Sequence, residues 1–340
     1  MRSPAPTRHK RQVAFLAGFW RSGGRHLARV MIGLALYQGA AHIGAQLDSI
    51  AAQSHDDWRL VVSDDGSRDE GPQILRDFAA RRPPGQVELV TGPQAGATRN
   101  FLSLIAQARA GEYLAFSDQD DLWHPDKLER ALDALKARPG AGLYCARTTI
   151  CDADLRPIRP SRRFPGPFDF RNALIQALTA GNTLLLPPAT VALAARAAPA
   201  AMAAGIEAHD WWLYQLVTGA GRAIIRDDAE VLLYRQHGDN LKGRNDTLAA
   251  MRARLGQLFA GDFGGWLRAN VAALLAVETE LTEENRRVLK TFSDAISRPG
   301  PRAAAIMRGL GIRRQTRAGT LAFYGATLAG RLRKGRAESA

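Results

Sequence analysis

The chain has 340 residues, 46% of them hydrophobic and 23% charged, with a net charge of +13. That balance excludes a disordered chain and leaves room for one large domain and a smaller one. The charge is uneven: residues 1–29 hold seven Arg and Lys and no acid, and residues 298–340 carry a net +9, so 30–297 sits near −3 and a nucleic-acid footprint over the body is excluded.

The basic ends suit anionic lipid headgroups. Val13–Trp20 is apolar with basic flanks, but it is too short to span a bilayer, and no secretory signal is read there. From residue 30 strands and helices alternate. Val30–Leu36 reads as a buried strand, His42–Gln53 as an amphipathic helix and Trp58–Ser63 as a strand. Gly71–Arg82 follows as a helix with Ile74, Leu75 and Phe78 on one face, then Val87–Val90 as a strand. Asn100–Arg109 is a helix using Phe101, Leu104, Ile105 and Ala108, Tyr113–Phe116 a strand, and Pro125–Ala137 a helix with Pro125 suited to a first turn. Alternation at this pitch predicts an α/β fold, with a mostly parallel sheet flanked by helices on both faces.

After Leu143–Ile150 the alternation weakens. Arg156–Pro167, rich in Arg and Pro, reads as loop. Asn172–Leu178 and Ala189–Ala204 read as helices, with Thr183–Leu186 as a strand between them. Residues 172–195 lack charge, but Gln176, Thr179, Asn182, Thr183 and Pro187-Pro188 argue for buried strand and turn, not a membrane span. His209–Val217 reads as a helix and Val231–Arg235 as a strand; 246–259, 264–279 and 281–296 are helical. The stretch 303–336 interleaves apolar residues with Arg, which suits either a helix on an anionic membrane or helices packed on the domain with a basic outer face. Cys145 and Cys151, if on one extended segment, lie roughly 20 Å apart at ~3.3 Å per residue and cannot pair with each other. Two free thiols favour a reducing, cytoplasmic setting.

The chemistry concentrates in Phe116-Ser117-Asp118-Gln119-Asp120-Asp121-Leu122-Trp123, where three carboxylates directly follow an apolar run. Clustered Asp at a strand's end places hard oxygen ligands where open α/β sheets bind ligands. Close carboxylates repel unless a cation or proton relieves them. Oxygen donors favour Mg²⁺ or Mn²⁺, and Mg²⁺ commonly joins one or two carboxylates to substrate phosphates. One of the three also suits capping of the next helix. A second acidic strand end is Ser63-Asp64-Asp65-Gly66-Ser67-Arg68-Asp69. Alone it is a common turn, but two such ends in one parallel sheet point into one crevice.

In the order and spacing of these motifs, over roughly 30–242, the chain resembles a family 2 glycosyltransferase of the GT-A (Rossmann-like) fold, within its bacterial rhamnosyltransferase-like group. The resemblance rests on Leu47-Asp48-Ser49-Ile50 with Gln53-Ser54, on Val62-Ser63-Asp64-Asp65-Gly66-Ser67 with Asp69, and on Asp118-Gln119-Asp120-Asp121-Leu122-Trp123 with Lys127-Leu128. His209-Asp210-Trp211-Trp212 and Tyr234-Arg235-Gln236-His237 with Asn240 complete it. It implies a basic extension over 1–29, a catalytic domain over 30–240 and a helical, basic region over 241–340. It also implies that Tyr37, Asp64, Asp65, Asp118, Arg99 and Arg235 hold the nucleotide-sugar, that Asp120 and His237 hold Mg²⁺ or Mn²⁺, and that Asp210 is the acceptor-activating base. As a plain sequence feature Asp210 would serve as a helix N-terminal residue. Trp211 and Trp212 would be core, or an apolar wall on the acceptor side.

The implied reaction moves a sugar, L-rhamnose from dTDP-L-rhamnose, to a bacterial surface glycan or lipid-linked acceptor, with peripheral contact at the inner membrane face through the basic tails and no nucleic acid. Two departures bear on the donor. The first strand ends Ala35-Leu36-Tyr37-Gln38-Gly39 where the family has Thr-Tyr-Asn-Gly, and Gln94-Ala95-Gly96 replaces Asn-x-Gly. The alternatives are a sugar-phosphate nucleotidyltransferase, which would want a basic Gly-rich loop where Tyr37-Gln38-Gly39-Ala40-Ala41 stands, and a non-catalytic glycan-binding protein.

Overall fold

The computed structural model describes residues 28–236 and 262–333. The first half follows the expected alternation: β1 (Val30–Leu36), α1 (Ile43–Ala51), β2 (Trp58–Asp64), α2 (Gly71–Ala80), β3 (Val87–Thr91), α3 (Ala97–Ile105), β4 (Tyr113–Ser117), β5 (Leu122–Trp123) and α4 (Lys127–Ala137). β1 is apolar on both faces because helices cover both sides of a central parallel strand. Strands β3, β2, β1 and β4 run parallel in that spatial order.

Beyond β4 the sheet becomes mixed. The remaining elements before the C-terminal helices are β6 (Leu143–Cys151), β7 (Pro157–Pro160), α5 (Phe170–Ala173), β8 (Leu185–Leu186), α6 (Pro188–Ala204), α7 (His209–Gly219) and β9 (Ile224–Arg235). The sheet continues β4-β8-β6-β9-β5, with β8 antiparallel to both its neighbours and β7 paired to β6. Two antiparallel steps restore direction, so β6 and β9 end at the same edge as β4. The region 156–167, expected as loop, contributes the short edge strand β7, and the helix expected over 172–178 shrinks to α5. β9 begins at Ile224, seven residues before the expected start: Arg226 and Asp227 break the apolar run, but β6 pairs with Ile224, Ile225 and Arg226. Cys145 and Cys151 share β6, both buried as free thiols.

The sheet divides the core. Ile43, Leu47, Leu75, Phe78, Leu128 and Leu135 from α1, α2 and α4 fill one side. Phe101, Leu104, Ala194, Trp212, Leu274 and Phe292 fill the other, the last two from the C-terminal helices. Those helices are α8 (Asp262–Leu275), α9 (Glu283–Ser297), α10 (Gly300–Gly309) and α11 (Arg317–Leu328). Asn285 Nδ2 donates to the carbonyls of Thr218 and Gly219 at 3.1 and 3.0 Å, so α9 closes the C-terminal end of α7. Met307, Ile312 and Phe323 are buried, whereas Leu321 and Leu328 remain exposed. Of the two uses weighed for 303–336, its described residues mostly pack on the domain. The helix expected over 246–259 lies outside the described residues. Among the described residues no helix is long and apolar enough to cross a membrane.

Candidate functional site

The C-terminal ends of β1, β2 and β4 are tied together by side chains from the two acidic motifs. After β1 the chain turns at Gln38, which sits at φ 50°. That conformation disfavours a side chain and is held here by three bonds. Gln38 N–H donates to Ser67 Oγ at 3.0 Å, and Gln38 Oε1 accepts from the N–H groups of Arg68 and Asp69 at 3.0 and 3.2 Å. Asp69 Oδ2 accepts from Ala40 N–H at 2.7 Å. Asp64 Oδ1 accepts from Ser67 N–H at 3.0 Å, closing the turn after β2.

Asp65 is held by the loop before α3: Oδ1 accepts from Gln94 N–H at 2.6 Å and Oδ2 from Gly96 N–H at 2.9 Å. It is buried. Arg99 is exposed on the first turn of α3. Beside it, Thr98 Oγ1 donates to Glu207 O at 2.7 Å, joining this loop to the residues that precede α7.

The Asp118–Asp121 loop is held from two sides. Gln119 makes a two-point clamp on β1's end: its Oε1 accepts from Tyr37 N–H at 2.9 Å and its Nε2 donates to Tyr37 O at 3.0 Å. A Cβ on Gly39 would fall 2.5 Å from Gln119 Oε1, so the clamp needs glycine there. The Tyr37 ring stays 58% exposed. From below, the fully buried Gln46 of α1 donates Nε2 to Asp121 O at 2.6 Å and accepts at Oε1 from Ser117 Oγ at 2.7 Å and Trp123 Nε1 at 3.1 Å. Arg235, from the end of β9, donates Nε to Asp120 O at 3.1 Å and bonds Ala153 O.

Asp118 and Asp120 are half-buried, and Asp121 is buried. Burial, reinforced by the Asp118 and Asp120 charges, pushes the Asp121 carboxyl well above the usual range, against the Asn182 hydrogen bond and the nearby Lys127 charge. Burial pushes the Lys127 ammonium down to about 7, against Asp121. Its Nζ lies 3.3 Å from the centroid of the Trp123 ring. Asp121 Oδ2 accepts from Asn182 Nδ2 at 2.6 Å, while its Oδ1 is buried without a hydrogen-bond partner.

Asn182 carries the site across to α7. Its turn, Gly181–Thr183, passes so close to α7 that a Cβ on Gly181 would fall 2.7 Å from His209 Nε2 and 3.7 Å from Asp210 Cβ. His209 stacks on Phe101 with centroids 4.2 Å apart. Asp210 is buried in the first turn of α7; its Oδ1 accepts from Trp211 N–H at 2.8 Å, and its carbonyl accepts from Thr179 Oγ1 at 3.0 Å. The two acidic strand ends, Tyr37, Arg235 and Asp210 thus gather around one sheet edge. Trp211 donates its indole N–H to Ala173 O at 2.7 Å, and it and the fully buried Trp212 pack in the core, the first of the two uses weighed for them. His237 lies outside the described residues.

Sequence reasoning missed Gln46, Gln119, Asn182 and the buried role of Asp121. Gln46 was the detectable one, as a polar residue on the apolar face of α1. No described group of three His, Cys, Asp or Glu is preassembled for a metal. A site completed by phosphate oxygens needs only one or two carboxylates, and Asp118 and Asp120, beside the unpartnered Asp121 oxygen, supply the right donor type.

Comparisons agree with this geometry. Residues 32–186 match the model of the family described as "Glycosyl transferase family 2". The "dTDP-rhamnosyl transferase RfbG" of Shigella flexneri is 28% identical over 230 residues, covering 66% of this chain and 78% of RfbG. An Escherichia coli relative, "UDP-Glc:alpha-D-GlcNAc-diphosphoundecaprenol beta-1,3-glucosyltransferase WfgD", is 27% identical over 106 residues, 31% of this chain and 40% of WfgD. Among solved structures, S. aureus TarS 1-349 in complex with UDP-GlcNAc aligns over 89% of this chain and 90% of its own, with a TM-score of 0.50 at 13% identity.

Proposed function

The chain belongs to glycosyl transferase family 2, is a glycosyltransferase and has the GT-A fold, and from that premise we propose that it moves a sugar from a nucleotide-sugar to a bacterial surface glycan or lipid-linked acceptor in a metal-dependent, inverting step. The observation that carries this is the continuity from the Asp118–Asp121 loop, by the hydrogen bond from Asn182 to Asp121, to the Gly181 turn packed closely against the first turn of α7, where Asp210 stands. The likeness to RfbG favours dTDP-L-rhamnose as donor. The basic ends of the sequence favour work at the inner face of the cell membrane.

Asp210, with Oδ1 anchored on Trp211 N–H, takes the acceptor hydroxyl's proton on its second oxygen. The freed oxygen attacks the anomeric carbon as the bond to the diphosphate breaks on the opposite face, so the configuration inverts. The sugar passes through an oxocarbenium-like state. The exposed Tyr37 ring offers a stacking face for the base, and Arg235, fixed against Asp120, adds positive charge beside the departing diphosphate. Asp120 and Asp118 would hold Mg²⁺ or Mn²⁺, which would supply charge neutralisation for that leaving group. His237 would join it.

Calorimetry with dTDP-L-rhamnose and Mn²⁺, alongside transfer assays, tests the roles. Asp210→Asn is expected to keep donor binding and lose roughly 10²–10⁴ in transfer rate. Asp120→Ala is expected to lose the Mn²⁺-dependent part of donor binding; an unchanged metal dependence would overturn its assignment. Pyrophosphate release from a nucleoside triphosphate and a sugar phosphate would favour nucleotidyl transfer instead.

A further inference from the structure

We propose that the outer face of α11, carrying Leu321 and Leu328 with Arg317 at its start and Arg333 beyond its end, seats this chain on an anionic lipid surface, which rests on the placement at the inner membrane face and deepens it by naming the surface that docks.

The two sides of α11 differ in cover but not in chemistry. Phe323, Ala326 and Thr327 are buried. Arg317, Ala318, Leu321, Gly325 and Leu328 are exposed. With 3.6 residues per turn the exposed five fall within about a third of the circumference, opposite the buried ones. A helix covered on one side ordinarily turns polar and charged residues outward. Here Arg317 is the one polar side chain among those exposed five, and Leu321 and Leu328 stand 73% and 53% exposed two turns apart. A single exposed leucine is ordinary; two on a face without other polar side chains make a continuous apolar strip.

The strip has a firm base. Thr316 Oγ1 accepts from Gly319 N–H at 3.1 Å at the helix start, and Tyr324 Oη donates to Ile312 O at 2.9 Å. A Cβ on Gly300 would collide with Leu328 O, so α10 packs tightly on the other end. On the buried side the Phe323 ring meets Phe263 edge-on at 6.4 Å, and Phe263 stacks on Trp211 at 5.9 Å. Trp211 follows Asp210, so α11 lies two ring contacts from the turn that carries Asp210. A chain seated on α11 therefore holds that end of α7 towards the lipid.

Charge selects the occupant. Residues 295–337 contain ten Arg and Lys and no Asp or Glu. Arg298 and Arg313 pair with Asp294 and Asp169, whereas Arg302, Arg308, Arg317 and Arg333 are exposed. Leucines flanked by arginines suit the boundary between headgroups and acyl chains, where the apolar side chains enter and the guanidinium groups reach phosphate. Anionic lipid adds attraction for each basic residue near the surface. A second copy docked on the same face would set this basic stretch against itself, and like charges oppose that pairing.

The test is flotation of the full chain with vesicles of phosphatidylcholine alone and of phosphatidylcholine mixed equally with phosphatidylglycerol. The mixed vesicles are expected to bind it, and Leu321→Gln/Leu328→Gln to weaken that binding roughly 10- to 100-fold, the range for withdrawing two leucines partly buried in lipid. Leu321→Phe/Leu328→Phe is expected to hold or tighten it. Arg317→Gln/Arg333→Gln is expected to weaken it and to flatten its dependence on salt. Both leucines are exposed, so an unchanged melting temperature in each variant is the folding control. Equal binding by the Gln pair of leucine variants and the wild type would overturn the proposal and leave membrane placement to the basic ends of the chain. No binding by the wild type would overturn both, and equal binding to phosphatidylcholine alone would overturn the anionic selection. A dimer in sedimentation velocity that Leu321→Gln/Leu328→Gln dissolves, without vesicle binding, would give the face to a second copy instead. None of these readouts depends on sugar transfer, so a failed donor assignment would leave them intact.

Discussion

Gln46 and Gln119 show how single amides set the Asp118–Asp121 loop. Gln119 is the middle residue of Asp118-Gln119-Asp120, a position whose identity the motif leaves open, yet here it locks the loop to Tyr37 through two bonds. Gln46 does the same from the opposite side, beneath the loop. Gln46→Leu keeps the volume but leaves Trp123 Nε1 and Asp121 O without their partner in a buried setting. We expect a loss of about 1–3 kcal/mol in urea unfolding, and a raised KM for the donor with a smaller change in kcat, since the substitution touches no reacting atom. The carboxylates were legible in the sequence because three Asp in four residues exceed what a cap requires. Their division of labour was not legible. Whether Asp65 faces a ligand or a loop depends on the path of Gln94–Gly96, which no local pattern encodes.

At the scale of elements, the parallel half of the sheet was readable because β1, β2 and β4 are buried on both faces and end in turn residues. The mixed half was not. Its order depends on β8, two residues long, which reverses direction twice between β4 and β6. Away from the site the parallel half is secured by one buried ion pair. Arg59 Nε and Nη2 donate to Glu112 at 2.7 and 2.8 Å, with both side chains 4% exposed, tying β2 to the chain entering β4. Burial alone would raise the Glu112 carboxyl, but the hydrogen bond from Arg59, the N–H of Arg109 and both positive charges bring it below its ordinary 4.5. A carboxyl lowered by folding contributes stability that is complete above the unfolded value and fades as pH falls through the folded one. Glu112→Ala, which strands the Arg59 charge, is expected to cost about 3–5 kcal/mol at pH 7. The difference from the wild type should shrink below about pH 4.5, as followed by urea melts at each pH.

For the whole molecule, the decisive fact is that the C-terminal helices share a core with the sheet's second face. Their periodicity was visible in the sequence; their docking was not, because an apolar stripe does not name its partner. Leu274, Leu289, Phe292 and Phe323 are all fully buried against that common core. Phe292→Ala is therefore expected to destabilise the protein by about 3–5 kcal/mol and to do so in a single unfolding transition. Two transitions would mean that the helices fold as a separate unit.

Helix α7 is buried along all eleven of its residues. It carries Asp210 at one end and is gripped by Asn285 of α9 at the other. Such a rod has no freedom to tilt alone. The proposed proton acceptor is mounted on the remote helices as a lever is mounted on its fulcrum, and whatever presses on α9, a partner or a neighbouring surface, reaches Asp210 through a stiff shaft about three turns long.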